Sequence, residues 1–172
     1  MHAKLTLTAL GICLLVGTIA ARRANRSWFE AHTEGAAALT LRGSARFGSV
    51  RAEAGGPATF VLTLGESSPD GAVLITSRSG VPTKPGLYLL GEDPRQELQA
   101  LVLTGSPTRP TGVYRARSGT LIIGGMRRGA GGRLEALDGQ FEIDAEGFEA
   151  ANPAVENRQL VVHGAFTASS GR

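Results

Sequence analysis

Cysteine is nearly absent from this sequence. The single cysteine among 172 residues, Cys13, lies inside the most apolar segment of the chain. Beyond that segment the chain has no thiol for a disulfide, a metal site or a nucleophile. A domain of about 150 residues buries a core large enough to fold without disulfides. This pattern fits a protein exported by a bacterium better than a small extracellular animal module.

The chain also has few aromatic residues and no large excess of charge of one sign. Phe, Trp and Tyr make up 5% of the chain, which weakens a glycan-binding role because such proteins stack sugars on exposed rings. The formal charge is +3, from 18 basic and 15 acidic residues that are interleaved along the chain. We therefore expect no nucleic-acid partner.

The chain also lacks an apolar run long enough for an ordinary membrane-spanning helix. Residues 5–20 are apolar but number 16, whereas about 20 are needed to cross a bilayer. Lys4 precedes this run, and Ala20 and Ala21 supply small residues for cleavage. Residues 1–21 are therefore predicted to be a helical signal peptide, and the mature protein is expected in the periplasm, on the outer surface or in the medium.

An uncleaved anchor is the alternative for this segment. Arginines at positions 22, 23 and 26 follow the apolar run, and positive charge normally stays on the cytoplasmic side of a membrane. Contact with a membrane is expected only through residues 1–21, and only if they are not removed.

Glycine is abundant, and its distribution predicts strands. The 24 glycines fall between short apolar runs, as turns between strands do. After a linker at 22–35, we predict one domain at 36–170 with almost no helix. The predicted strands are residues 37–42, 44–51, 58–65, 71–78, 86–91, 98–105, 112–118, 119–126, 133–144 and 159–168.

Alternation of apolar and polar residues supports these strands. Residues 58–78 are predicted to form a hairpin whose turn is Ser68-Pro69-Asp70-Gly71. Near the end of the chain, Gly139-x-Phe141 and Gly164-x-Phe166 occupy the same phase of two alternating strands. A glycine at such a position lets a neighbouring ring or backbone lie close over it.

Ten short strands in one domain predict a two-sheet antiparallel β-sandwich, jelly-roll-like, with a closed β-barrel as the alternative. The two architectures differ in what fills the centre. In a sandwich the inward side chains interdigitate, whereas in a hollow barrel they line a cavity. These side chains are Phe60, Leu62, Phe141, Ile143, Val162 and Phe166.

Several short motifs in the last third of the chain are similar to those of a known group of proteins. They are Tyr114-Arg115-Ala116, Ser118-Gly119-Thr120-Leu121-Ile122-Ile123, Gly139-Gln140-Phe141-Glu142 and Val161-Val162-His163-Gly164-Ala165-Phe166. The segment resembles small exported or lipoprotein β-domains of Gram-negative bacteria, most of unknown function. The resemblance implies an all-β fold outside the cytoplasm and assigns no functional residue. Cys13 departs from the lipoprotein versions because the bulky Ile12 precedes it.

Residues that carry chemistry do not form a recognisable motif. His163 lies in a predicted strand, but His32 falls in the predicted linker, so no partner for catalysis is expected. The alternating carboxylates Asp138, Glu142, Asp144 and Glu146 are expected to form a solvated face, paired with Arg115 and Arg117, rather than a Ca²⁺ site.

Arg127, Arg128 and Arg133 flank the predicted glycine-rich turn at 129–132. An exposed charged turn is the expected interpretation, and contact with an anionic lipid or another polyanion is the alternative. No residue is predicted to be catalytic, to bind a cofactor or to ligate a metal.

The function predicted from these patterns is a non-enzymatic binding or structural module of the bacterial envelope or secreted fraction. Its expected partner is an unidentified protein, glycan or envelope component, and no cofactor is expected. A lipocalin-like carrier of an apolar ligand is the first alternative, and a hydrolase with an unrecognised site is the second.

Overall fold

The computed structural model of the chain has an all-β fold, described for residues 27–51, 58–77, 80, 82–149 and 158–171. The predicted signal peptide lies outside these residues. Within them the single helical turn is the 3₁₀ turn Ala130–Gly132, and no helix is long and apolar enough to cross a bilayer. The strands are β1 (Trp28–Gly35), β2 (Thr40–Gly43), β3 (Ala45–Arg51), β4 (Ala58–Leu64), β5 (Gly71–Ser77), β6 (Gly86–Gly91), β7 (Leu98–Ser106), β8 (Arg109–Arg128), β9 (Leu134–Glu149) and β10 (Arg158–Ser170).

All ten strands belong to one mixed sheet with a ring-like arrangement. Strands β3, β4, β5, β7, β8, β9 and β10 pair in that order, each antiparallel to the next. The ring closes where β10 pairs in parallel with β3, at Ser169 opposite Arg46 and Ser170 opposite Phe47. The hairpin β1–β2 pairs with β10, and β6 pairs with β8 beside the start of β7. The predicted division of the strands into two sheets is not seen in this pairing.

Most predicted strands are present within a few residues, but β1 corrects the linker assignment. Residues 28–35 form a strand that pairs with β10 along its whole length. Phe29 and Ala31 are buried, and so is Thr33, whose hydroxyl donates to the Ala37 carbonyl at 2.6 Å. Ala31 is small and Thr33 is polar, so the alternation of buried and exposed residues in β1 is weak in the sequence.

The predicted strands at 112–118 and 119–126 are one strand, β8. Its pairing with β9 continues through irregularities between Ala116 and Ser118 and between Ile123 and Gly125. The predicted junction of the two strands falls at Ser118-Gly119, but these residues lie directly opposite Asp144 and Ile143 of β9. The long hairpin of β8 and β9 is therefore the largest element of the fold.

The predicted 58–78 hairpin is confirmed. Leu64 lies opposite Val73, and Val61 lies opposite Thr76. In the connection, Gly65 has a φ of +82°, a backbone conformation that favours glycine.

The interior is filled by one cluster of apolar side chains. All six residues expected to face inward belong to it, with exposures of 0–4%. Phe141 lies opposite Gly164, and Phe166 lies opposite Gly139. The two phenylalanine ring centroids are 6.5 Å apart. Each glycine therefore makes room for the ring on the neighbouring strand, as the repeated Gly-x-Phe pattern predicted.

Candidate functional site

His32 and His163 lie side by side on the outer surface. His163 of β10 is directly opposite His32 of β1. His163 Nδ1 is 3.9 Å from Glu142 Oε2, and His32 Nδ1 is 3.2 Å from Thr40 Oγ1. The placement of His32 in a linker was wrong, because His32 lies in β1 beside His163. The side chains of His163 and Glu142 are 47% and 62% exposed, so this pair lies on open surface rather than in a cleft.

The alternating carboxylates of β9 also lie on the outer surface. Arg117 Nη1 is 3.6 Å from Glu146 Oε2, which confirms the expected arginine partner for that carboxylate. The Ser118 hydroxyl donates to Asp144 Oδ2 at 3.2 Å. In the part of the chain that the structure describes, no three His, Cys, Asp or Glu side chains are grouped so that they could hold a metal ion.

An apolar row crosses the outer surface of β7, β8 and β9. Leu103, Val113 and Phe148 lie directly opposite one another on the three strands. Leu101 lies one pleat away on β7, and Phe148 is 45% exposed. The solvent side of an antiparallel sheet is normally polar, so a half-buried leucine and valine beside an exposed phenylalanine are unusual there.

A groove of about 350 Å³, called the outer groove, adjoins this row at Val113 and Phe148. Its apolar floor is formed by Leu101, Val113 and Phe148. Its charged side is formed by Glu92, Arg115, Arg117 and Glu146. A second, smaller hollow of about 210 Å³ shares Glu92 and Arg115 with it, so the concave surface continues toward the turn after β6.

Two of the charged residues in the outer groove play different roles. Arg117 Nη1 is 3.3 Å from Glu92 Oε2 and also approaches Glu146, which fixes the guanidinium between two carboxylates. Arg115 lies opposite Glu146 on the neighbouring strand. Within the described ranges the Arg115 guanidinium forms no ion pair, so it can donate hydrogen bonds to a ligand carboxylate or carbonyl.

A buried tyrosine supports the wall of the outer groove from inside. Tyr114 lies between Val113 and Arg115 in sequence and faces the core. Its hydroxyl donates to Glu149 Oε1 at 3.3 Å, and Arg158 Nη1 is 3.0 Å from Glu149 Oε2. Burial raises the pKa of Tyr114, and the Glu149 carboxylate raises it further, whereas Arg158 acts in the opposite direction. This chain of contacts ties β8, β9 and β10 together beneath Phe148.

Sequence reasoning did not identify the outer groove. Arg115 and Glu146 were expected to meet, but Phe148 lies beyond the predicted end of its strand at residue 144. The available signal was the pair of outward apolar residues Leu101 and Leu103 within one alternating strand. It could be interpreted only once β7 was known to lie beside β8 and β9.

The chain matches no protein-family model, no curated protein and no solved structure. The resemblance of the last third to exported β-domains therefore stays a prediction.

Proposed function

We propose that this chain is an exported, non-enzymatic β-domain that binds a partner protein through the outer groove. The observation that carries the proposal is the apolar row of Leu103, Val113 and Phe148 on a sheet face that would otherwise be polar. Exposed apolar surface bordered by charged groups is typical of protein-binding sites. Aromatic and arginine side chains are enriched in such interfaces.

The chemistry of the outer groove defines the kind of partner segment. An apolar side chain of the partner would cover Val113 and Phe148, and a carboxylate or backbone carbonyl would accept from Arg115. Arg117 is held by Glu92 and Glu146 at the border, which keeps the charged side of the groove ordered before binding. Such preorganisation lowers the entropic cost of association.

The packed interior supports binding at the surface over storage inside. Phe60, Leu62, Ile143 and Val162 have no accessible surface at all. The wall of a ligand-sized cavity would retain accessible area, so a lipocalin-like carrier would need a different arrangement of these side chains. The export part of the proposal rests on the signal-peptide pattern of residues 1–21.

We further propose that the ring-like sheet is flattened into two facing layers, which is the sandwich-like form expected from the sequence. Support comes from contacts between the β1–β2 hairpin and the β4–β5 hairpin, which are not neighbours in the sheet. A Cβ atom built on Gly71 of β5 would lie 3.1 Å from Leu41 of β2, and one on Gly65 would meet the ring of Phe29.

Site-specific photocrosslinking in the producing cell tests the proposed function. Replacing Phe148 with p-benzoylphenylalanine keeps an aromatic ring in the outer groove and is expected to give a discrete adduct. The same photoreactive residue at Gln159, an exposed position of β10, is the matched control. Adding Arg115→Glu to the Phe148 variant is expected to remove the adduct.

The result that would contradict the proposal is equally specific. Adduct patterns that are identical at positions 148 and 159, or an adduct that persists with Arg115→Glu, would mean that the outer groove is not the binding surface. Unfolding curves of the same variants separate loss of binding from loss of fold.

A further inference from the structure

Basic side chains are clustered at the turn that closes the β8–β9 hairpin. Arg127, Arg128 and Arg133 are all exposed there. The Arg128 guanidinium donates to the Gly132 carbonyl at 3.0 Å and to the Thr83 carbonyl at 2.9 Å. The second bond brings the turn before β6, and with it the exposed Lys84, to the end of the hairpin.

Exposed leucines lie directly beside these cations. Leu87 is 59% exposed and Leu89 is 49% exposed, both on the outer side of β6. Leu87 lies opposite Ile122 of β8, which is 37% exposed. These three residues are half of the six large apolar side chains that are exposed in the described chain. Such clustering goes beyond the scattered apolar residues normal for a protein surface.

The apolar and basic residues form one continuous area, which we call the hairpin-end surface. Lys84 precedes Leu87 by three residues, and Arg127 follows Ile122 by five residues on the same strand. The acidic residues of this region are Glu135, Asp138 and Glu142, so four cations and three anions leave an excess of one positive charge. The hairpin-end surface consists of Lys84, Leu87, Leu89, Ile122, Arg127, Arg128 and Arg133.

We propose that the hairpin-end surface docks on an anionic phospholipid bilayer. Leucine and isoleucine side chains enter the boundary between headgroups and acyl chains, and the flanking lysine and arginines interact with lipid phosphates. Long basic side chains keep their charge at the headgroups while their stems lie against the apolar region. The charge excess favours a membrane over an uncharged apolar partner. This contact is separate from residues 1–21 and independent of the outer groove.

A local fluorescence measurement tests this proposal on the full chain. Cys13→Ser removes the native thiol, and Leu89→Cys then carries a bimane fluorophore on the hairpin-end surface. Vesicles of phosphatidylglycerol and phosphatidylcholine that contain brominated lipid are expected to quench this fluorophore. Pure phosphatidylcholine vesicles with the same bromine content are expected to quench it much less. Removing Arg127 or Arg133 by substitution with Ala is expected to weaken vesicle binding about fivefold each.

Phe148→Cys in the same background is the matched control. Phe148 is 45% exposed, close to the 49% of Leu89. Their partners on β8, Val113 and Thr120, are seven residues apart, which is about 23 Å of strand. A fluorophore at position 148 is therefore expected to stay unquenched. All variants share residues 1–26, so a difference between the two positions reports on the folded domain.

Three outcomes would overturn the proposal. The first is equal quenching at positions 89 and 148, and the second is quenching at 89 that does not depend on lipid charge. The third is the absence of quenching at 89 combined with a dimer in light scattering that Leu87→Ser dissociates. In that case the exposed leucines would serve a second copy of the chain.

Discussion

Two glycines decide how two phenylalanine rings of the core meet. Gly139 and Gly164 each lie opposite a phenylalanine of the neighbouring strand. A Cβ atom on Gly164 would overlap the Phe141 ring and lie 2.8 Å from Ala31 Cβ, and one on Gly139 would lie 3.1 Å from Phe166 Cζ. The phenylalanines can pack inward only because these positions carry no side chain.

Gly164→Ala is expected to lower the free energy of unfolding by about 1–3 kcal/mol, since an added methyl group in a filled core forces its neighbours to shift. Gly48→Ala is the control, because a Cβ atom there would meet nothing within 4 Å. That substitution is expected to leave stability unchanged or raise it by about 0.5 kcal/mol. Urea unfolding measures both, and equal effects would show that the rings do not depend on Gly164.

Tyr114 gives the fold a dependence on alkaline pH. Its pKa is raised by burial and by Glu149, so the folded protein holds the hydroxyl proton more tightly than the unfolded chain does. The resulting contribution to the free energy of unfolding is complete below about pH 10, the usual pKa of tyrosine. It is lost as the pH rises through the higher folded-state value.

Tyr114→Phe is therefore expected to flatten the alkaline loss of stability while changing the free energy of unfolding at neutral pH by about 1 kcal/mol or less. Urea unfolding across the alkaline range measures this. Tyr88→Phe is the control, because the Tyr88 hydroxyl donates to the Lys84 carbonyl at an exposed site. A Tyr114→Phe curve that parallels the wild type would contradict the assignment.

Single strands were predictable to different degrees. β4, β5, β6, β7 and β10 were found within a few residues because each is an apolar or alternating run with glycine or proline near its ends. β1 was missed because its inward side chains shrink from Phe29 to Ala31 and Thr33. β8 was predicted as two strands that meet at Ser118-Gly119, whereas its pairing with β9 continues through these residues.

Removing β1 tests whether the domain begins before residue 36. A chain of residues 27–172 is expected to unfold as cooperatively as the full chain. A chain of residues 36–172 is expected to lose at least about 3 kcal/mol of unfolding free energy, because Phe29 and Ala31 leave the core. It also exposes the β10 edge that β1 covers. Circular dichroism during thermal unfolding compares the two chains. Equal unfolding midpoints would mean that the domain begins at residue 36, as the sequence predicted.

The candidate site was less predictable than the strands. Alternation identified which side chains of a strand share a face, but it could not show which strands are neighbours. The outer groove needs Leu101, Val113 and Phe148 to meet on three strands, and the pairing of β7 with β8 and β9 is a property of the whole sheet. For the same reason, the sequence alone did not show that His32 lies opposite His163.

Viewed as a whole, the molecule carries both proposed contacts on its long hairpin. The outer groove lies near the open end of β8 and β9, and the hairpin-end surface lies at their turn. Because the strands between them are continuous, a domain resting on a membrane by the turn would hold Phe148 about 20–30 Å away from the lipid. Both contacts can then be made at once.

The pairing of the first strand with the last has a consequence for how the protein is made. Trp28 lies opposite Thr167, 139 residues later in the chain. During synthesis β1 can pair with β2 early, but its pairing with β10 must wait until the strands between them have been made. Contacts between such distant segments slow folding, and a slowly folding chain stays threadable for longer, which would suit the proposed export.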